Sequence, residues 1–249
     1  MPSSNPVMNP NVYRRELADS PTASVMSMHG TVIKTAFLMS LLLISAGYTW
    51  YLSLDEANTL MMRGVLLIGA IGGLVMALVT SFFPKASPYT SPVYAAFEGM
   101  FLGGISVIFE ARFPGVVIQA VGLSIAMMTM MLFLYGTGII RATEKFKTGI
   151  IAATGAIFMV YMASMLLSFF GVRIPFIHES GMFGIGFSVV VVIIAALNLI
   201  LDFDFIEQGV RSRAPKYMEW YGGFSLLVTL VWMYLEILRL LAKLRNSND

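Results

Sequence analysis

The sequence predicts an all-α integral membrane protein, a bundle of seven transmembrane helices, and three observations carry that prediction. Hydrophobic residues make up 57% of the 249 and charged residues only 12%, with a mean hydropathy of +0.80. A soluble domain cannot hide so much apolar surface. Apolar segments of about 20 residues recur along the chain, the length that about 30 Å of hydrocarbon demands of an α-helix. No segment alternates with period two, as the strands of a membrane barrel do.

The first 30 residues are rich in Pro, Ser and Asn and contain no apolar run of signal-peptide length, so they read as a disordered polar tail. Seven spans follow, at approximately 31–53, 61–83, 91–111, 114–138, 148–171, 182–203 and 219–242. The breaks are LDEAN, FFPKASPYTSP, ARFPG, RATEKFK, RIPFIHES and EQGVRSRAPKYME. Proline, glycine and charge gather there because helices end where the backbone can meet water. One transmembrane domain is therefore expected over residues 31–245, with a short tail at 246–249 and no repeat or separate soluble domain.

Orientation follows from the distribution of Lys and Arg. The side carrying the N-terminus holds ten: Arg14, Arg15, Lys34, Lys85, Arg141, Lys145, Lys147, Arg211, Arg213 and Lys216. The other side holds six: Arg63, Arg112, Arg173, Arg239, Lys243 and Arg245. This places the N-terminus in the cytoplasm and the C-terminus outside, although the basic C-terminal residues oppose the trend.

Charge inside the spans is the main clue to function, because an intramembrane acid is costly and generally faces a bundle interior or a wet cavity. Glu98 lies within YAAFEGMFLGGIS and Glu236 within MYLEILRLL, while Asp202, Asp204 and Glu207 close the sixth span in LILDFDFIE. Glu110 falls at the edge of the third span and reads as a headgroup position. At 100° per residue Asp202 and Asp204 stand roughly 200° apart, so they cannot share one environment. Asp204 and Glu207 share a face and read as a solvated cap; Asp202 points inward. Glu98 lies about 10 Å from the cytoplasmic end of its span and Asp202 about 7 Å. The two are therefore expected to meet and to share a proton, which makes a pH switch in outline. Glu236 has Arg239 at i+3, near an interface, and reads more readily as a structural ion pair than as a functional acid. Gly99, Gly103 and Gly104, like the glycines at 69, 72, 73, 181, 184 and 186, read as close-packing faces.

The stretches YAAFEGMFLGGIS, PGVVIQAVGLSIAMM, LILDFDFIE and MYLEILRLL, in this order on seven spans, resemble the Bax inhibitor / YccA family of seven-helix membrane proteins, also called transmembrane Bax inhibitor motif proteins. The resemblance runs from about Thr31 to Arg245. It implies a calcium leak gated by pH through a pair of acids on the sixth and seventh helices. The sixth-helix acid matches Asp202. The seventh falls on Glu236 by local pattern, or at Thr229 when the closing apolar runs are aligned. Glu236 lies about 26 Å along its helix from Glu219, far from Asp202, so the switch is either rebuilt with Glu98 or missing.

The expected function is a pH-sensitive Ca²⁺ or cation leak, with Ca²⁺ near Asp202 as the transported ion rather than a cofactor, because carboxylate oxygens suit a hard divalent cation. The resemblance also implies an alternative, a non-conducting regulator of a membrane-bound protease or other membrane partner, for which the polar N-terminal tail is the natural handle. Catalysis is not expected. Cysteine is absent, and the two histidines, His29 and His178, are far apart. No GxSxG, HExxH or GxGD motif occurs. The absence of a retention motif or lysine-rich tail points to a bacterial plasma membrane.

Overall fold

The computed structural model describes residues 25–55, 59–171 and 181–247. Among the described residues seven helices are long and apolar enough to cross a bilayer: α1 (Met28–Leu52), α2 (Thr59–Phe82), α3 (Ser87–Arg112), α4 (Val116–Gly136), α5 (Glu144–Phe169), α6 (Met182–Arg211) and α7 (Met218–Asn246). One 3₁₀ turn, Pro84–Ala86, joins α2 to α3. Each expected span is a helix, but α6 runs eight residues past its expected end and α7 four. Residues 25–30, assigned from sequence to the tail, belong to the fold. Residues 1–24 lie outside the described residues, as do Arg173 and His178.

Polarity is distributed as a lipid solvent requires. In α7 the most apolar stretch is 56% buried within the protein, against 17% in each of α2, α4 and α5. Yet the mean hydropathy of that stretch in α7 is 1.8, lower than in those three helices. Lipid is as apolar as leucine, so only an enclosed helix can carry polar groups through it. α7 packs against α1, α3, α4 and α6, while α5 packs on α6.

Glycine sets the fit of α3 between its neighbours. A methyl group on Gly69 of α2 would come within 2.7 Å of the Phe101 amide nitrogen, and one on Gly103 of α3 within 2.5 Å of the Ala46 carbonyl oxygen. Gly99 leaves no room for a side chain against the Leu42 carbonyl and Ser45 of α1. These are the close-packing faces expected from sequence. Gly186 on α6 is different, because nothing stands within 4 Å of its missing Cβ.

At the N-terminal end the backbone is tied by charge. Glu219, in the first turn of α7, is 0% exposed. It pairs with Lys34 of α1 and accepts bonds from both the amide and the hydroxyl of Ser27, each at 2.9 Å. Ser27 also caps α1 by accepting from the Gly30 amide at 3.0 Å. Just before it, the Met26 amide donates to the Ala214 carbonyl in the α6–α7 turn at 2.8 Å. At the opposite end Glu110 accepts from the Gly115 and Val117 amides, at 2.6 and 3.2 Å. The expected headgroup residue is thus the cap of α4, whose own N-cap is a glycine with φ +82° and no side chain to offer.

Two predictions follow from this packing. Lys34→Met leaves a buried carboxylate without its cation and lowers stability by roughly 3 kcal/mol, measured as the denaturation midpoint of the purified protein; an unchanged midpoint would refute the lock. Gly99→Ala lowers the same midpoint, whereas Gly186→Ala raises it slightly through better helix propensity, by under about 1 kcal/mol.

Candidate functional site

α6 and α7 form an antiparallel hairpin, and the buried face of α6 runs Ala195, Leu199, Asp202, Phe203 and Ile206. Asp202 is the polar member of that apolar stripe and is 8% exposed. Helix spacing alone places it there, since it lies three and four residues from Leu199 and Ile206. Across the seam, Ser225 of α7 donates to Asp202 Oδ1 at 2.5 Å. Thr229, one turn further along α7, also acts on the carboxyl. Among the described residues Oδ2 has no hydrogen-bond partner. A buried acceptor left unsatisfied costs about 1–3 kcal/mol, and more if it carries charge. Because α6 continues to Arg211, the acid lies about 13 Å from the helix end rather than 7 Å.

The three acids of LILDFDFIE are sent to three different helices. Asp202 faces α7. Asp204 pairs with Lys147 of α5 at 2.8 Å and also accepts from Gln208. Glu207 accepts from the Tyr135 hydroxyl of α4 and from Arg211 at 2.5 Å. Asp204 and Glu207 do share a face, but they are only partly exposed and anchored to neighbouring helices. The solvated cap expected there is therefore an electrostatic clamp of α6 onto α4 and α5.

The expected pairing of Asp202 with Glu98 is not formed. Glu98 lies over Gly73 of α2, where a methyl group would meet its Oε2 at 2.6 Å. The polar groups acting on Asp202 are Ser225 and Thr229, with no acid among them. The reason is topological: α3 is held by its glycines between α1 and α2, and α6 sits against α4, α5 and α7. Tyr94, one turn before Glu98, packs edge-on against Phe224 of α7 with ring centroids 5.0 Å apart.

Glu236 is the structural ion pair that its spacing suggested. It is 1% exposed, bonds Arg239 at 2.9 Å, and accepts from the Tyr161 hydroxyl of α5 at 2.9 and 3.0 Å. It stands seven residues beyond Thr229, about 10 Å along the helix. Of the two positions open for a seventh-helix partner, the structure brings Thr229 to Asp202 and leaves Glu236 in a separate cluster.

Sequence reading missed Ser225 and the Glu219–Lys34–Ser27 cluster. Ser225 and Thr229 are four residues apart on one face of an otherwise apolar helix, which is the signal that could have found the first. A lysine four residues inside the first span, with an acid opening the last, could have found the second.

Neither a curated protein sequence nor a solved structure matches the chain. A family profile described as Bax inhibitor 1 like matches residues 5–246, nearly the whole length. With seven apolar helices and an acid of the sixth facing the seventh, the chain belongs to the Bax inhibitor 1 like family of integral membrane proteins.

Proposed function

We propose that the protein is a pH-sensitive leak for Ca²⁺ or a similar cation, controlled by protonation of Asp202. One observation carries this reading: a carboxyl is enclosed at the seam of the two most buried helices, with one oxygen held by Ser225 and the other without a hydrogen-bond partner among the described residues. When neutral, that group sits comfortably in an apolar stripe. When ionised, it requires a cation, water or further donors, and the seam must part to admit them. The gate so described uses one acid and two hydroxyls, Ser225 and Thr229, in place of two acids. Three other acids at this end, Asp204 with Lys147, Glu207 with Arg211 and Glu219 with Lys34, are paired and hold the hairpin while the seam responds. Glu98, over Gly73, lies outside this gate. Ca²⁺ enters as cargo, drawn by carboxylate oxygen, and a cytoplasmic N-terminus in a bacterial inner membrane remains part of the proposal. No catalysis and no resident cofactor are invoked.

A second reading, a regulator of a membrane protease or other membrane partner, draws support from the N-terminal strap. Met26 is tied to the α6–α7 turn and Ser27 to Glu219, so a partner pulling on the preceding residues would pull on the hairpin that carries Asp202.

Ca²⁺ entry into liposomes holding the purified protein separates these readings. Wild-type flux is expected to change between pH 5 and 8, and Asp202→Asn to give one flux throughout; superimposable wild-type and variant profiles would discard the gate. Ser225→Ala, which removes the hydroxyl bonded to Oδ1 and leaves Thr229 as the remaining one, is expected to shift the pH at which flux changes without abolishing it. Deleting residues 2–20 should leave flux intact for a leak and abolish partner capture for a regulator.

A further inference from the structure

Glu98 is an intramembrane acid that neither the gate nor the clamps use. It lies about 16 Å along α3 from Ser87, the first residue of that helix, near mid-depth in about 30 Å of hydrocarbon. Asp204, Glu207, Glu219 and Glu236 each meet a cation, and Glu110 caps α4. The half-buried Glu98 has neither an ion pair nor a hydrogen bond among the described residues.

Its surroundings supply no charge. The helices packed against α3 are α1, α2, α4 and α7. From α2 the carboxyl meets Gly73, which has no side chain to offer. On α3 itself the titratable neighbour is Tyr94, one turn earlier. None of the charged groups among the described residues acts on the carboxyl. Lys34 of α1 is held by Glu219, and Arg239 of α7 by Glu236. Arg63, near the start of α2, and Lys85, in the turn before α3, lie toward opposite ends of the bundle, each about 15 Å or more away along the helices.

A polar face leads to this carboxyl from the end of the bundle that carries the N-terminal strap. At 100° per residue, Ser87, Ser91, Tyr94 and Glu98 fall within about 60° of one another on α3. Ser91 is 0% exposed, and its hydroxyl has no hydrogen-bond partner among the described residues. Pro92, inside the helix, withholds the amide that the Pro88 carbonyl would otherwise meet. Polar groups left open in this way are costly away from water. Lying between the helix end and Glu98, they provide steps along which a proton can be handed inward.

We propose that Glu98 is a proton-binding site of its own, reached along Ser87, Ser91 and Tyr94. A proton suits the site better than a divalent metal ion, which asks for about six or more oxygen ligands; no group of three or more acidic or histidine side chains gathers among the described residues. With its proton, the carboxyl lies against Gly73 as a neutral group. Without it, a charge stands at mid-depth with no cation to meet. The site is independent of what passes Asp202, whose polar neighbours are Ser225 and Thr229.

Infrared spectroscopy of the full-length protein in liposomes, from pH 5 to 10, tests the assignment, because a protonated carboxyl has a carbonyl stretch distinct from that of a carboxylate. Wild type should show such a band, weakening as the pH rises; Glu98→Gln should lose it and Asp202→Asn should keep it. Where Glu98→Gln does not fold, Glu98→Asp should move the same band to a new position. On transfer to D₂O the band should shift by exchange, and Ser91→Ala should slow that shift severalfold. A Glu98→Gln spectrum identical to wild type, a band that stays in place in Glu98→Asp, a band lost equally in Asp202→Asn, or an unchanged exchange rate in Ser91→Ala would each overturn the proposal.

Discussion

The structure depends on the enclosure of α7. This helix carries acids at both ends of its buried length, Glu219 and Glu236, each almost wholly removed from solvent. In hydrocarbon such groups have no recourse to water. The rest of the bundle therefore brings partners to them: Lys34 and Ser27 from the α1 region, Tyr161 from α5, and Arg239 from α7 itself. Between these two satisfied acids lies the stretch that faces Asp202, where satisfaction is incomplete. The contrast assigns the roles. Charges at the ends of the helix hold it in position, and the carboxyl facing its middle is the one left without a cation among the described residues.

That division also explains the spread of acids on α6. Three carboxylates within two turns look extravagant in a transmembrane segment, but the helical period sends them to α7, α5 and α4. Two of them meet a cation and one does not. The clamped pair resists separation of α6 from α4 and α5, and the α6–α7 seam at Asp202 has no ion pair of its own among the described residues.

The fold was largely legible in the sequence, because span length and the clustering of Pro, Gly and charge at helix ends follow from the bilayer itself. The inward aspect of Asp202, the ion pair of Glu236 and the packing role of Gly69, Gly99 and Gly103 were legible from helical period and spacing. The partner of Asp202 was not. Depth along a helix says how far in a residue sits, but not which neighbour it meets, and two acids at similar depth were read as a pair when Glu98 lies over Gly73 of α2 and Asp202 faces Ser225 of α7. Ser225 and Ser27 escaped notice because a serine is unremarked in an apolar run until its partner is known. The true end of α6 was misplaced for a related reason: Asp204 and Glu207 look like a helix end until Lys147, Tyr135 and Arg211 supply their partners.

The capped turn between α3 and α4 has a mechanical consequence. Glu110 fastens it from within, and Arg245 near the end of α7 donates to the Pro114 carbonyl at 2.5 Å. The far tip of α7 is thereby pinned to a stiff corner. Glu219 fastens the other end to Lys34 and Ser27, so the helix is a strut held at both tips. Ser225, about 30 Å from Arg245 along it, lies just inside the second support, where strain is taken up by bending and not by a swing of the whole rod.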